Sequence, residues 1–561
     1  MKRNFVLLIT LLFAVSAVFA AGTEEDAASS AGGMELSTPG TFPIVTELVD
    51  MSVLTYSDSD ITFDDYWLIQ YMEELTNVHV NWETAPTNNF KEKMNLMFAS
   101  GEYSDVVIAQ GNSLTQISKP EEMKLIQQEV MLPLNDLLKT QSTWYKWRLN
   151  TTDGMEEAVT APDGNIYSFA GRGDCHHCMY GEKFWLNKEW LDNLGLEVPT
   201  TIDEFYDVLV AFKTRDANGN GDPNDEWPIS TAKSGAWVFI DGFLMNSFQF
   251  TDVQQGSVRR LYMDNGTVKA SYMQPGYLEG LKWLNKLWNE KLIYPDSFTQ
   301  DRSTSGKLNQ GGPEAIFGGI PAMHHGYLGS GSGDDPRYRE YIGLAPLDGP
   351  AGRQTQFYGY TFSTGTTFIT AQSKIPEIAF RYFDYFYSEE GGLYGSYGQK
   401  GLSWQDPESG VLAIDGTPAV VQPLEVPEDN EFYQKMTLGN RSTFYSFTHS
   451  KRSGPQDWMV DAPGATERFL WYFTDTAYAP YGVPLSTMLP PLYYDEASIS
   501  ELAQIHATLD EFVYETAVRF ITNDLDVNSD WDWFQRELKK IGVERYLEIT
   551  QEAYDMSAFA K

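Results

Sequence analysis

Residues 175–228 read CHHCMYGEKFWLNKEWLDNLGLEVPTTIDEFYDVLVAFKTRDANGNGDPNDEWP, and the rest of the chain is organised around this stretch. Trp185, Trp190, Leu191 and Leu194 recur at helical spacing, with Gly195 behind them as a C-terminal stop. Pro199, Thr200 and Thr201 then lead into Ile202, Phe205, Val208, Leu209 and Phe212, and Thr201 with Glu204 forms a capping box. The stretch therefore predicts a helix, a short turn and a second helix. At its end Asp216, Asn218 and Asn220 offer side-chain oxygens at the first, third and fifth positions of an EF-hand-type loop. Gly221 supplies the sharp turn, and Asp222 adds a carbonyl. The second half departs from that pattern, because the closing position is Trp227 rather than Glu, so Asn224, Asp225 or Glu226 must complete the shell. The predicted ligand set for a structural Ca2+ is Asp216, Asn218, Asn220, Asp222 and Glu226; the plainer reading is an acidic surface turn.

Cys175 and Cys178 are the only cysteines. In an exported chain they favour a disulfide; the alternative is a metal site with His176 and His177. A redox CxxC would need a thioredoxin-like βαβ context, which the sequence lacks.

Export is predicted from the start of the chain. Lys2 and Arg3 precede an apolar run over residues 5–12 that continues through Ala14 and Val15 to Phe19, and small Ala20 and Ala21 follow. Residues 1–20 read as a signal peptide, too short to span a membrane. No cysteine lies near its end, which predicts a soluble periplasmic or secreted protein and not a lipoprotein. Residues 21–40, rich in Ala, Ser, Gly and Glu, read as a disordered tether.

With 561 residues, 42% of them hydrophobic, the chain can build two or more lobes. Its formal net charge of -38 disfavours nucleic acid and anionic membrane surfaces as partners. Aromatic residues reach 14%, enough to fill cores and also to line a sugar cleft, and composition does not separate the two uses.

Between residues 41 and 165 the periodicity alternates. Ile44, Val45, Leu48, Val53 and Leu54 suggest a strand, Trp67, Leu68, Tyr71, Met72 and Leu75 a helix, and Val78, Val80 and Trp82 a second strand. Phe90, Met94, Met97 and Phe98 give another helix before the buried run DVVIA at 105–109. This βαβαβ order predicts a parallel sheet, with Gln110, Gly111 and Asn112 at the carboxyl ends where such sheets bind ligands. Farther on, Asn265 and Gly266 mark a hairpin turn.

The run FWLNKEWLDNLGLEVPTTIDEFYDVLVAFKTRDANGNGDPNDEWP closely resembles extracellular solute-binding proteins of ABC sugar importers, family 1, particularly the LipO-like subgroup. So do HVNWE, ASGEYSDVVIA, MLPLNDLL and TAPDGNIYSFA, in the same order, and the resemblance covers nearly all of residues 41–555. It implies an α/β fold of the two-lobed, type II periplasmic-binding-protein class, each lobe a sheet flanked by helices, with a ligand cleft between them. The expected division is residues 41–165 and 300–365 in the first lobe, and 166–299 and 366–561 in the second. GGPEAIFGGIPAMHHGY is similar to the part where a strand returns to the first lobe. TFITAQSKIPEIAF is similar to the part that crosses back to the second.

The resemblance further implies capture of a carbohydrate, an oligosaccharide in the first instance, by a monomer that delivers it to ABC permease subunits and is not an enzyme. Candidate contacts are Gln110, Asn112, Arg172, Asp174, Trp237, His325, Tyr358, Tyr360 and Trp404, with ordinary turn or core roles as the alternative for each. The competing class is an exported glycoside hydrolase, which needs two carboxylates facing each other across a sugar cleft. No local motif singles out such a pair.

Overall fold

The computed structural model describes residues 30–560 apart from 32–33, 59–61, 111–113, 235–237, 254–259, 325, 327, 329–335, 361, 426–434, 440–443, 445, 447 and 461. The expected signal peptide, part of the tether, and the candidates Gly111, Asn112, Trp237 and His325 lie outside the described residues.

The predicted alternation is present. Strands Val49–Tyr56, Val78–Ala85 and Val106–Ile108 pair in parallel, with helices Trp67–Thr76 and Phe90–Ser100 between them. Phe362–Ile369 joins antiparallel beside Val106–Ile108, and Phe169–Arg172 closes the sheet on its far side. The result is five strands in the order 78–85, 49–56, 106–108, 362–369, 169–172. One face buries Val53, Val106, Ile108 and Phe169 against Phe380 and Phe383; the other buries Leu54, Val107 and Phe368 against Leu125.

A second sheet has Phe184–Asn187 at its centre, antiparallel to both Gly319–Pro321 and Tyr341–Gly343. Its core holds Trp185, Trp190, Phe205, Phe212 and Phe317. The two helices expected after the cysteines are Lys188–Leu194 and Ile202–Thr214. The first ends at Gly195 with φ 66°, and the second begins with the Thr201–Glu204 capping box. Asn265 and Gly266 turn the predicted hairpin with φ 48° and 80°, the left-handed pair that a tight hairpin needs.

Pairing revises the expected division of lobes. Residues 319–321 do not return to the first lobe: Gly319 pairs with Leu186 and Pro321 with Phe184 in the second sheet. Close packing enforces this, since a Cβ at Gly318 would lie 2.5 Å from the Phe212 ring. Nor does residue 366 onward cross into the second lobe. Strand Phe362–Ile369 and helix Pro376–Asp384 belong to the first, where the buried Asp384 carboxylate accepts from the backbone N–H of Thr143 at 2.8 Å and of Tyr145 at 2.7 Å. The first crossing comes after Arg172 rather than at 166, because Phe169–Arg172 is still hydrogen-bonded into the first sheet. The second lobe regains the chain by helix Ala465–Phe473, whose Phe469 stacks on Trp185 at 5.0 Å. The C-terminal helices Glu496–Thr522, Trp531–Ile541 and Val543–Met556 complete that core through Val513, Phe520, Phe534 and Tyr546. Among the described residues no helix is long and apolar enough to cross a membrane.

Candidate functional site

The parallel strands of the first sheet end on the edge from which the chain crosses to the second sheet, the edge at which such sheets commonly bind ligands. Gln110 stands on this edge, buried, with its carbonyl accepting from the Tyr56 hydroxyl at 2.8 Å. Arg172 ends the outermost strand, and its backbone N–H and carbonyl bond Phe444 and Ser446. Asp174 follows and holds the same neighbouring segment: its carboxylate accepts from the Ser446 hydroxyl at 2.7 Å and from the His449 N–H at 2.9 Å.

Cavities lie on both sides of the crossing. One of about 300 Å³ is lined by Asp174, His177, Tyr397, Ser446 and His449 together with the cysteine pair. The other, about 540 Å³, lies between the helix start at 118–120 and the C-terminal helices, with Lys119, Tyr358, Phe362, Tyr494, His506 and Tyr546 on its walls. Tyr358 therefore stands at an interlobe surface, and its backbone N–H donates to Met179 at 2.7 Å. Tyr360 is 6% exposed, packs edge-on against Phe559, and borders a separate hollow of about 630 Å³ with Leu485 and Tyr554. Trp404 takes the core role: it is 3% exposed, and its indole N–H donates to Gly398 at 2.7 Å. That leaves no ring face for a solute.

Cys175 and Cys178 form a disulfide. The turn it closes is held from below by Lys183, a fully buried ammonium donating to the carbonyls of His177 and Tyr180. Burial pushes that lysine down to about 7. Above the turn, His177 meets partners absent from the sequence reading. Its Nε2 is 3.4 Å from Glu467 Oε2, and His449 Nε2 and the Arg452 guanidinium approach the same oxygen at 3.3 and 3.4 Å. Burial opposes ionisation of Glu467, but His177, Arg452 and His449 outweigh it and bring the carboxyl down to about 2. Burial likewise brings His177 down to about 4 against the pull of Glu467, so its imidazole is neutral at pH 7. Positions 177, 449 and 467 share no local motif, and only the adjacent histidines of CHHC hinted at the cluster.

The acidic loop at 216–226 fits a cation. Asn220 and Asp222 donate backbone N–H bonds to the side-chain oxygens two residues before them, and Gly221 N–H reaches Asp216 Oδ2 at 2.9 Å. Glu226, 1% exposed, folds back so that Oε1 accepts from Ala217 N–H at 2.7 Å. Two carboxylate oxygens, Asp216 Oδ1 and Glu226 Oε2, are buried without a hydrogen-bond partner, an expensive arrangement unless a cation meets them. Burial pushes the Glu226 carboxyl up, and the neighbouring Asp225 adds to the rise.

The chain is 27% identical over 503 residues to the fructooligosaccharide ABC transporter substrate-binding protein FusA of Streptococcus pneumoniae, covering 87% of this chain and 86% of that protein. A FusA EF-hand mutant solved in complex with fructo-nystose matches with a TM-score of 0.63 at 24% identity, over 90% of this chain and 99% of that one. An HMO-binding, ABC-transporter-associated solute-binding protein from Bifidobacterium longum infantis matches with a TM-score of 0.70 at 19% identity, over 91% and 99% of the two chains. These likenesses give the type II solute-binding fold, in agreement with the two sheets and their crossings. The family described as bacterial extracellular solute-binding protein matches residues 57–393, more than half of the sequence, and the chain belongs to that family.

Proposed function

We propose that this chain captures an oligosaccharide between its two lobes outside the cytoplasm and hands it, chemically unchanged, to the permease of an ABC importer. The observation that carries the reading is the sheet edge at the crossing. Beyond it lie two cavities, one walled by Asp174, Tyr397, Ser446 and His449 and the other by Lys119, Tyr358, Tyr494, His506 and Tyr546. Hydroxyl-rich ligands need hydrogen-bonding side chains and flat apolar rings together, and this edge supplies both. Similarity to FusA, a fructooligosaccharide-binding protein solved with kestose, supports the solute class. Hinge motion of the two lobes would bury the sugar and create the surface a permease reads.

The same reading includes a structural Ca2+ held by Asp216, Asn218, Asn220, Asp222 and Glu226. The two orphaned buried oxygens support it, as does the EF-hand of FusA. The ion would fix the turn after helix Ile202–Thr214 and take no part in sugar chemistry.

Calorimetric titration of the mature protein with a panel of fructo-, gluco- and galacto-oligosaccharides, followed by chromatography of the recovered sugar, tests the proposal. Saturable binding with the sugar recovered intact is expected. Cleaved product would instead favour the hydrolase reading, and no heat across the panel would sink the oligosaccharide assignment.

A further inference from the structure

We infer that His177, His449 and Glu467 form a binding site for a borderline divalent transition metal, with Zn2+ as the best match. The inference concerns a different site from the acidic loop and does not rest on the solute assignment.

The geometry makes the case. His177 Nε2 and His449 Nε2 lie 3.4 and 3.3 Å from Glu467 Oε2, and one ligand atom from each residue falls within 4.8 Å of the others. Both distances are long for an N–H···O hydrogen bond, whose usual range is roughly 2.7–3.2 Å. They match the edge of a tetrahedron whose centre lies about 2.0–2.1 Å from each ligand, which is about 3.3–3.4 Å. His449 Nε2 is also buried and, beyond its 3.3 Å approach to Glu467, has no hydrogen-bond partner among the described residues. Two imidazoles and one carboxylate are the donor set of zinc, copper, cobalt and nickel; calcium and magnesium take oxygen.

The ligands are held in place from behind. The disulfide and Lys183 fix the backbone of His177, and Asp174 accepts from the backbone N–H of His449. Helix Ala465–Phe473 carries Glu467 and is locked by Phe469 against Trp185. His177 and Glu467 belong to the second lobe, whereas His449 follows the segment bonded to first-lobe strand Phe169–Arg172, so a bound ion ties the lobes together. His177 and His449 also line the 300 Å³ cavity, which leaves a further coordination position for water. Arg452 approaches the same Glu467 oxygen at 3.4 Å and competes with the ion, which places the site below the affinity of closed structural zinc centres.

The test uses the untagged mature protein, disulfide intact, stripped with chelator and then saturated with Ca2+ so that the acidic loop is filled. Titration with Zn2+ against a chromogenic chelator should give one equivalent bound. His449→Gln and Glu467→Gln each remove a direct ligand and should weaken binding more than the roughly 10- to 100-fold typical of losing an outer-shell partner, while Glu226→Gln leaves it unchanged. Thermal unfolding of each variant establishes that it is folded. Co2+ should give the intense visible bands of a four-coordinate nitrogen and oxygen site. Absence of a bound equivalent, affinity indifferent to both substitutions, or a sulfur-to-cobalt charge-transfer band from the cysteines would each overturn the assignment.

Discussion

Replacing Glu226 with Gln should have opposite consequences with and without calcium. Glu226 Oε1 accepts from Ala217 N–H at 2.7 Å while Oε2 is buried without a partner. A Gln side chain keeps the first bond through its carbonyl and removes the buried charge, so E226Q in chelator should be at least as stable as the native chain. With Ca2+ present the order reverses, because an amide in place of Oε2 weakens a hard cation's shell by about 100-fold. At free Ca2+ about 100 times the native dissociation constant, the native protein gains about 2.7 kcal/mol and the variant about 0.4. The difference, about 2.3 kcal/mol, corresponds to roughly 5–9 °C in the unfolding midpoint of a lobe of this size. Differential scanning calorimetry of both proteins in chelator and in Ca2+ measures it directly. Equal calcium stabilisation of the two, or a large loss for E226Q in chelator, would refute the assignment of Glu226 to the ion.

Other consequences are as direct. Opening the Cys175–Cys178 disulfide, whose partners are three residues apart, should cost about 2 kcal/mol on loop-entropy grounds, read as a lowered unfolding midpoint in Cys175→Ser/Cys178→Ser. Asp384→Asn should destabilise the first lobe by roughly 1.5–3 kcal/mol, because the buried carboxylate accepts from the backbone N–H groups of Thr143, Trp144 and Tyr145 at 2.8, 3.1 and 2.7 Å and from the Ser142 hydroxyl at 2.7 Å; a loss below about 0.5 kcal/mol in denaturant titration would contradict that role. Burial pushes the Lys119 ammonium down to about 8, more than Glu122 at 3.3 Å restores. An unfolded lysine titrates near 10.4, so the unfolded chain binds the extra proton between these values. Stability from this group is therefore lowest below pH 8 and rises by up to about 3 kcal/mol as pH climbs to about 10.4. Lys119→Met should flatten that rise when unfolding is compared at pH 7.5 and 10.

The sequence exposed what is local. The first three strands and two helices followed from periodicity, the Thr201 cap from a four-residue pattern, and the hairpin from Asn265 and Gly266. Lobe membership was hidden because pairing partners are distant. Gly319–Pro321 is a three-residue strand whose neighbour lies more than a hundred residues upstream, and nothing in GIP distinguishes one sheet from another. Trp404 illustrates a second limit: an aromatic residue reads alike in a sugar cleft and a core, and only its 3% exposure decides. The cluster at Glu467 illustrates a third, since residues 177, 449 and 467 acquire their chemistry from the crossing that brings two lobes to one point.

The most direct test of capture between lobes is small-angle X-ray scattering of the mature, calcium-loaded protein titrated with an oligosaccharide that binds, with the sugar analysed afterward. Capture by lobe closure should give a saturable fall in radius of gyration that follows occupancy, one sugar per chain, and full recovery of intact ligand. Saturation with no change in shape, or consumption of the sugar, would contradict it.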